Sequence, residues 1–420
     1  GVAHRMMWPE LFFTLPLNWV RLSPGRFLKL TVGYILHNPN IRRVQIQSGV
    51  YLKLFIVVNN MLVFLLQFRA ATRTFQRTAK HKPASFERRK IHMKHLKRIG
   101  LFVATVVLII GFSVSVQAKE WRGWNIHVAG YPNTVAMDKF AELLSEKSGG
   151  KMTLKMYHSG TLGSQPDAIE QVRIGGLEIG NFNMGPIGPI VPEANVVSLP
   201  FIFKDVDHMW RVLDGEAGKM MEAGLAKKGL VTLAWYDAGA RSFYNSKKPI
   251  EAPADVGGMK VRVMNNDLYS GMISALGGNP SPMAFAEVYQ SLKTGVVDGA
   301  ENNWPSYEST GHYEVAPFYS NSQHLIIPEI VCINADVWKS LSPEDQKILK
   351  EAAQESAILQ RDLWKKREKA SEEKVLAAGV KLNEIPDKSA FQAAMKPVYD
   401  KYLKDNPDLK PLVELIQATP

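Results

Sequence analysis

A single cysteine, Cys332, stands in 420 residues, which excludes intramolecular disulfides and cysteine-rich zinc sites. It lies in the apolar run EIVCINA, the setting of a buried, inert thiol rather than a nucleophile. Acids are scarce at one end only. Residues 1–118 hold Glu10 and Glu87 against 18 Lys and Arg, so residues 119–420 keep 33 bases and 38 acids, a net charge of −5. The whole-chain excess of +11 therefore belongs to the first 118 residues, and nucleic-acid binding loses its motive in the remainder. There is no phosphate-cradling GxxxxGK[ST], no HExxH and no GxSxG turn. The histidines after residue 118 are His127, His158, His208, His312 and His324, none spaced i,i+4 with another. Each reads as a surface or hydrogen-bonded histidine, and neither a metal nor a cofactor is expected.

Residues 93–118, MKHLKRIGLFVATVVLIIGFSVSVQA, begin with Met93, Lys94, Lys97 and Arg98 and end Val116-Gln117-Ala118. A charged start, an apolar centre and a small-x-Ala exit describe a secretory signal peptide, cleaved after Ala118. The apolar run from Ile99 to Phe112 is about 14 residues, short of the ~20 that span a bilayer. A periplasmic location follows. Residues 1–92 open with Gly1 and mix basic, polar and aromatic residues without sustained period. They read as translated upstream DNA, with Met93 as the start, or as a basic membrane-associated extension.

From residue 119 short β-rich runs alternate with amphipathic helices. WNIHVAG reads as a strand, Asn133 as the cap of a helix, KMTLKMY as a second strand, QPDAIEQVRIGG as a helix and LEIGNFNM as a third strand. This βαβαβ opening predicts an α/β protein with a parallel sheet and covering helices. Strands recur at LVTLAWY, RSFYN and MKVRVM, with helices near residues 267–276 and 284–293. Ser342-Pro343-Glu344-Asp345 is a helix start: a capping hydroxyl, Pro at the first position and acids in the first turn. No Pro or Gly follows until Gly379, and KKREKASEEK is too charged to bury. A long helix crossing between two lobes, exposed at mid-length, is expected; a break near residue 366 is the alternative.

Several segments, in order, resemble the periplasmic solute-binding proteins of tripartite ATP-independent periplasmic (TRAP) transporters, the DctP family. They are GTLGSQPDAIEQVRIGGLEIG, VVSLPFIFKDVDHMWRVLDGEAG, GARSFYNSKKPIEAPADVGGMKVRV and SPMAFAEVYQSLKTGVVDGAENN. The resemblance covers essentially all of residues 119–420. It implies a two-lobed clamshell that closes on a small organic acid, with a long helix crossing both lobes. The implied lobes are 119–238 with 327–366, and 239–326 with 367–420. The acid would be a C4-dicarboxylate, a keto acid or a sugar acid such as a uronate. It would be handed to small and large integral-membrane permease subunits driven by an ion gradient, with the binding protein a monomer.

The resemblance places Arg241, Arg262, Phe285 and Asn302 at ligand-facing positions. The residues themselves allow a comparable reading. In MKVRVM, Arg262 shares a strand face with Lys260 and Met264. An arginine there needs a partner. Either its planar fork meets a ligand carboxylate, or an internal acid such as Asp298 or Glu301 holds it. Arg241 either meets ligand or sits on an exposed edge. Asn302 offers a donor and acceptors. Trp304 forms an apolar wall for a sugar-like face or packs inside its lobe. Tyr131, Asn133 and Asn183 follow expected strands, where α/β clefts recruit ligand groups. Two other functions stay open: a receptor-docking sensor, and a secreted lyase of acidic sugars using Glu301 or His312 as base.

Overall fold

The computed structural model describes residues 119–420. The expected signal peptide and the extension before it lie outside the described residues. In chain order, β1 (Lys119–Trp124), β2 (Met152–Tyr157), β3 (Ile179–Asn183) and β4 (Leu230–Tyr236) build a first sheet. The chain then crosses to a second with β5 (Ala240–Asn245), β6 (Lys260–Val263), β7 (Asn279–Pro282), β8 (Gly299–Asn302) and β9 (Phe318–Ile326). It returns for β10 (Glu329–Asn334) and crosses again for β11 (Lys381–Glu384). The sheet orders are β2-β1-β3-β10-β4 and β11-β9-β5-β8-β6-β7. The fold is thus two α/β lobes, each completed by a strand from a distant part of the chain.

The parallel opening is present, β1 pairing in parallel with both β2 and β3, while β10 enters antiparallel between β3 and β4. The first strand, however, is KEWRGW rather than WNIHVAG. Its ladder with β2 ends at Trp124 opposite Tyr157, and Asn125 and His127 leave the sheet at its carboxyl end, where such folds place ligand groups. Asn133 is not a cap either. Tyr131 holds that position, Pro132 opens the helix, and α1 runs Pro132–Lys147. Then α2 (Gln165–Arg173) starts behind Ser164, whose side chain shares a capping box with Asp167. β7 is NPSP, invisible to a strand pattern because proline cannot donate to a ladder. It is tolerated here as the outer strand beside β6.

The long helix is continuous: α3 runs Pro343–Ala377, 35 residues, or about 52 Å. Ser342 caps it by accepting from the Asp345 N–H. Its first half buries Leu349, Ala352 and Ala353 in a cluster with Phe140 and Leu144 of α1 and Tyr236 of β4. Its second half reaches the other lobe, where Arg367 and Lys374 both pair with Glu308. Lys365, Lys366, Lys369 and Glu373 between these anchors are exposed. No break occurs near residue 366, because the exposed stretch has no helix breaker and carries i,i+4 pairs such as Lys369–Glu373.

The terminal residues, expected with the second lobe, hydrogen-bond to the first. Lys204 Nζ donates to the Thr419 carbonyl, Arg211 Nε to that of Pro420, and the Tyr402 hydroxyl to that of Pro192. Cys332 is buried on β10, and burial pushes its thiol well up. Among the described residues no group of His, Cys, Asp and Glu could hold a metal ion.

Candidate functional site

Between the lobes lies a cavity of about 200 Å³, smaller than the 300–1,000 Å³ typical of drug-sized ligands. β5, β6 and β8 bring Arg241, Arg262 and Asn302 to its second-lobe wall, joined by Phe285 from the loop after β7. The first lobe contributes His127, Gln165, Asn183 and Glu329. Ser159, in the loop after β2, also lines it with φ +57, a strained conformation of the kind found at binding sites.

The two arginines differ in state. Arg241 is 3% exposed, and its Nε and Nη2 donate to the two carboxylate oxygens of Glu301 at 2.5 and 2.7 Å. Nη2 also reaches the Glu301 carbonyl at 2.6 Å, and Nη1 the Asn302 Oδ1 at 2.7 Å. Burial alone would lower this guanidinium's pKa, but the Glu301 charge reverses that and holds it above its usual value. Burial would likewise raise Glu301, yet Arg241 holds it at about 2. His324 Nε2 stands 3.5 Å from Glu301, too far for a strong hydrogen bond, so the arginine dominates. The internal salt bridge that stood as the alternative for Arg262 is formed by Arg241 instead, and Arg241 is not on an exposed edge.

Arg262 is 2% exposed and donates from Nε and Nη2 to one acceptor, the Met283 carbonyl, at 3.2 and 2.9 Å. Among the described residues it forms no ion pair. Burial pulls it down to about 10. A buried guanidinium without a counter-ion is the state to which an anion adds most.

Asn302 presents less than the sequence allowed. Its Oδ1 accepts from Arg241 and from the Asn303 N–H at 2.9 Å, which leaves its amino group for the cavity. Asn183 is similar: its Oδ1 caps the Gly185 N–H at 3.0 Å. Three expected residues lie behind the wall. Trp304 stacks on Tyr319 with ring centres 3.6 Å apart, inside the second lobe. Tyr131 stacks on His127 at 4.0 Å, and its hydroxyl lies 3.0 Å from Ser306 of the other lobe. Asn133 Nδ2 donates to Glu329 at 2.7 Å and its Oδ1 accepts from Gln360 of α3 at 2.7 Å. These two position cavity residues rather than line the cavity.

Sequence reasoning missed His127, Gln165 and Glu329. The one available signal was Glu329, an acid opening the apolar run EIVCIN directly after Pro328. Neither base considered for a lyase is available. Glu301 is fully buried and held by Arg241. His312 is buried against the Tyr244 hydroxyl at 2.8 Å, and desolvation, with Arg262 nearby, lowers it to about 3.

A hinged α/β clamshell with an unpaired arginine and an array of amides in its cleft is a solute-binding protein. Residues 125–405 match bacterial extracellular solute-binding protein, family 7 (DctP), and the chain belongs to this family, whose members bind solutes for TRAP transport. A solute-binding protein of Chromohalobacter salexigens is 55% identical over 312 residues, 74% of this chain and 93% of that protein. A crystal structure of a TRAP solute-binding protein from Roseobacter denitrificans with bound β-D-glucuronate is 75% identical, with TM-score 0.72, covering 72% of this chain and all of that one. Another, from a Sulfitobacter species with bound β-D-galacturonate, is 59% identical, with TM-score 0.70, covering 71% and 99%.

Proposed function

We propose that this chain captures a hexuronate in the periplasm and delivers it to the small and large membrane subunits of a TRAP permease. The observation that carries this is Arg262, buried without a counter-ion on the cavity wall. Its planar fork matches a carboxylate with two parallel hydrogen bonds. The amino group of Asn302 and the free positions of Gln165 and Asn183 suit ring hydroxyls, and Phe285 supplies an apolar surface for a sugar face. Relatives with bound glucuronate and galacturonate support the ligand class. Arg241 organises the site by fixing Asn302, and Tyr131, Asn133 and Trp304 support it from behind. Export would follow cleavage after Ala118, and the bound sugar acid would leave unchanged.

Thermal-shift measurement with D-glucuronate and D-galacturonate tests the reading. Ligand at 100-fold excess over its dissociation constant adds about 2.7 kcal/mol of stability, a melting shift of roughly 5–10 °C for a protein of this size. An unmoved midpoint with both uronates would overturn the ligand class. Turnover of bound uronate followed by NMR would overturn the assignment as a binding protein.

A further inference from the structure

Charge in the cavity is segregated by lobe. The second lobe supplies the unpaired guanidinium of Arg262, and the first supplies one carboxylate, Glu329, also lining the cavity and 2% exposed. Glu329 opens β10 just past the crossover at Ile327 and Pro328, opposite Asn183 on β3 and Tyr236 on β4. One donor reaches each of its oxygens. His127 Nε2 lies 3.0 Å from Oε1, and Asn133 Nδ2 lies 2.7 Å from Oε2. Asn133 cannot turn away, because Gln360 of α3 holds its other end. Among the described residues no arginine or lysine pairs with Glu329, and His127 is its one ionisable partner. A carboxylate oxygen accepts at about two positions, so each oxygen keeps one acceptor site.

We infer that Glu329 is a specificity residue, admitting acids that carry hydroxyls away from their carboxylate and rejecting dicarboxylates. This rests on the proposed capture of an acidic sugar by Arg262. With one carboxylate on Arg262, a hydroxyl at the first-lobe wall donates to a free lone pair of Glu329. A second ligand carboxylate in that place meets a like charge, and it carries no proton to donate to Glu329. The cavity thus discriminates by a repulsive group as well as an attractive one. Of the acids the family resemblance left open, the C4-dicarboxylates are the ones excluded.

Calorimetric titration with D-glucuronate and D-glucarate, the corresponding diacid, on wild type, Glu329→Gln and Glu329→Met tests this. Wild type is expected to favour glucuronate by about 100-fold or more, the scale of a desolvated like-charge contact. The difference in shape between ring and open chain cancels when that preference is compared between wild type and variant. Both variants should narrow it by about tenfold or more, weakening glucuronate while glucarate gains. Glu329→Met also removes the charge without placing an amide against Asn133, and covers a glutamine variant that does not fold. Wild type binding the two ligands within about tenfold of each other, or variants that leave the ratio unchanged, would overturn the filter alone. Wild type binding neither ligand would overturn the uronate reading and the filter with it.

Discussion

Arg241 on β5 and Arg262 on β6 flank β8 from opposite sides, and both are almost fully buried, yet they are in opposite electrostatic states. Arg241 has every arm of its fork engaged, with Glu301 neutralising it. Arg262 has one backbone carbonyl. The surroundings therefore raise one pKa and lower the other to about 10. Burial and residue type do not separate the two arginines; the missing counter-charge does, and it is the basis on which Arg262 is proposed as the clamp. Arg241 belongs to the scaffold, stabilised within the chain. Arg262 is a charge the fold keeps buried without a partner, which is intelligible where a ligand completes it.

The largest expected effect comes from removing the paired arginine. Arg241→Ala leaves the fully buried Glu301 without its partner, which costs about 3–5 kcal/mol, and ligand-free protein should melt roughly 10 °C lower. A variant melting within about 2 °C of wild type while losing all uronate affinity would exchange the roles of the two arginines. Next in size is Arg262→Lys, which keeps the charge but loses one of two parallel bonds. Affinity should fall by about tenfold to a hundredfold, with the ligand-free melting point little changed. Calorimetry with D-glucuronate beside apo melting checks this. Unchanged affinity with a large loss of apo stability would remove Arg262 from the clamp.

The same contrast explains what could be read in advance. Strand alternation placed Arg262 on a face, and the capping motif at Ser342 placed the long helix, because both depend on neighbours in sequence. Pairing choices depend on neighbours in space. Whether Glu301 would hold Arg241 or Arg262 was decided by the register of β8, which sets Glu301 opposite Phe243 of β5 and sets Ala300, one residue earlier and on the other face, opposite Arg262 of β6. Glu329 lies 202 residues from its partner His127 and 196 from Asn133, so no local pattern could connect them. The failures at WNIHVAG and NPSP were local. One is a β-rich run that leaves the sheet to reach the cavity, the other a proline-rich edge strand. Trp304 differs: its sequence allows a wall for a sugar face or packing inside its lobe, and Tyr319, stacked on it, takes the second.

Acids can be set beside each other in the same way, and the smallest predicted effect comes from there. Glu301 has an arginine fork and is held at about 2. Glu368 of α3 forms no ion pair among the described residues; burial, then the charges of Asp237 and Glu372, raise it to about 7. Asp237, at the β4–β5 crossover, is raised by burial to about 6, against partial relief from the Gly239 N–H, Arg361 and Lys365. The crossover is pressed onto the helix: Gly239 has φ +63, and an added Cβ would lie 2.8 Å from Glu368 Oε1. Where the folded pKa exceeds the unfolded value near 4, the folded state binds protons more tightly, and stability falls as pH rises through the folded values. Stability from this pair should therefore drop by roughly 1–2 kcal/mol between pH 5 and pH 8. Glu301 acts with the opposite sign, its contribution being lost only as pH falls from about 4 towards 2. Glu368→Gln imitates the protonated acid, so it should flatten the slope between pH 5 and 8 and exceed wild type by about 1 kcal/mol at pH 8. Melting of ligand-free protein at the two pH values is the measurement. A variant less stable than wild type at pH 8, with the slope intact, would mean that Glu368 is a satisfied carboxylate like Glu301, and the division between paired and unpaired charges would end at the arginines.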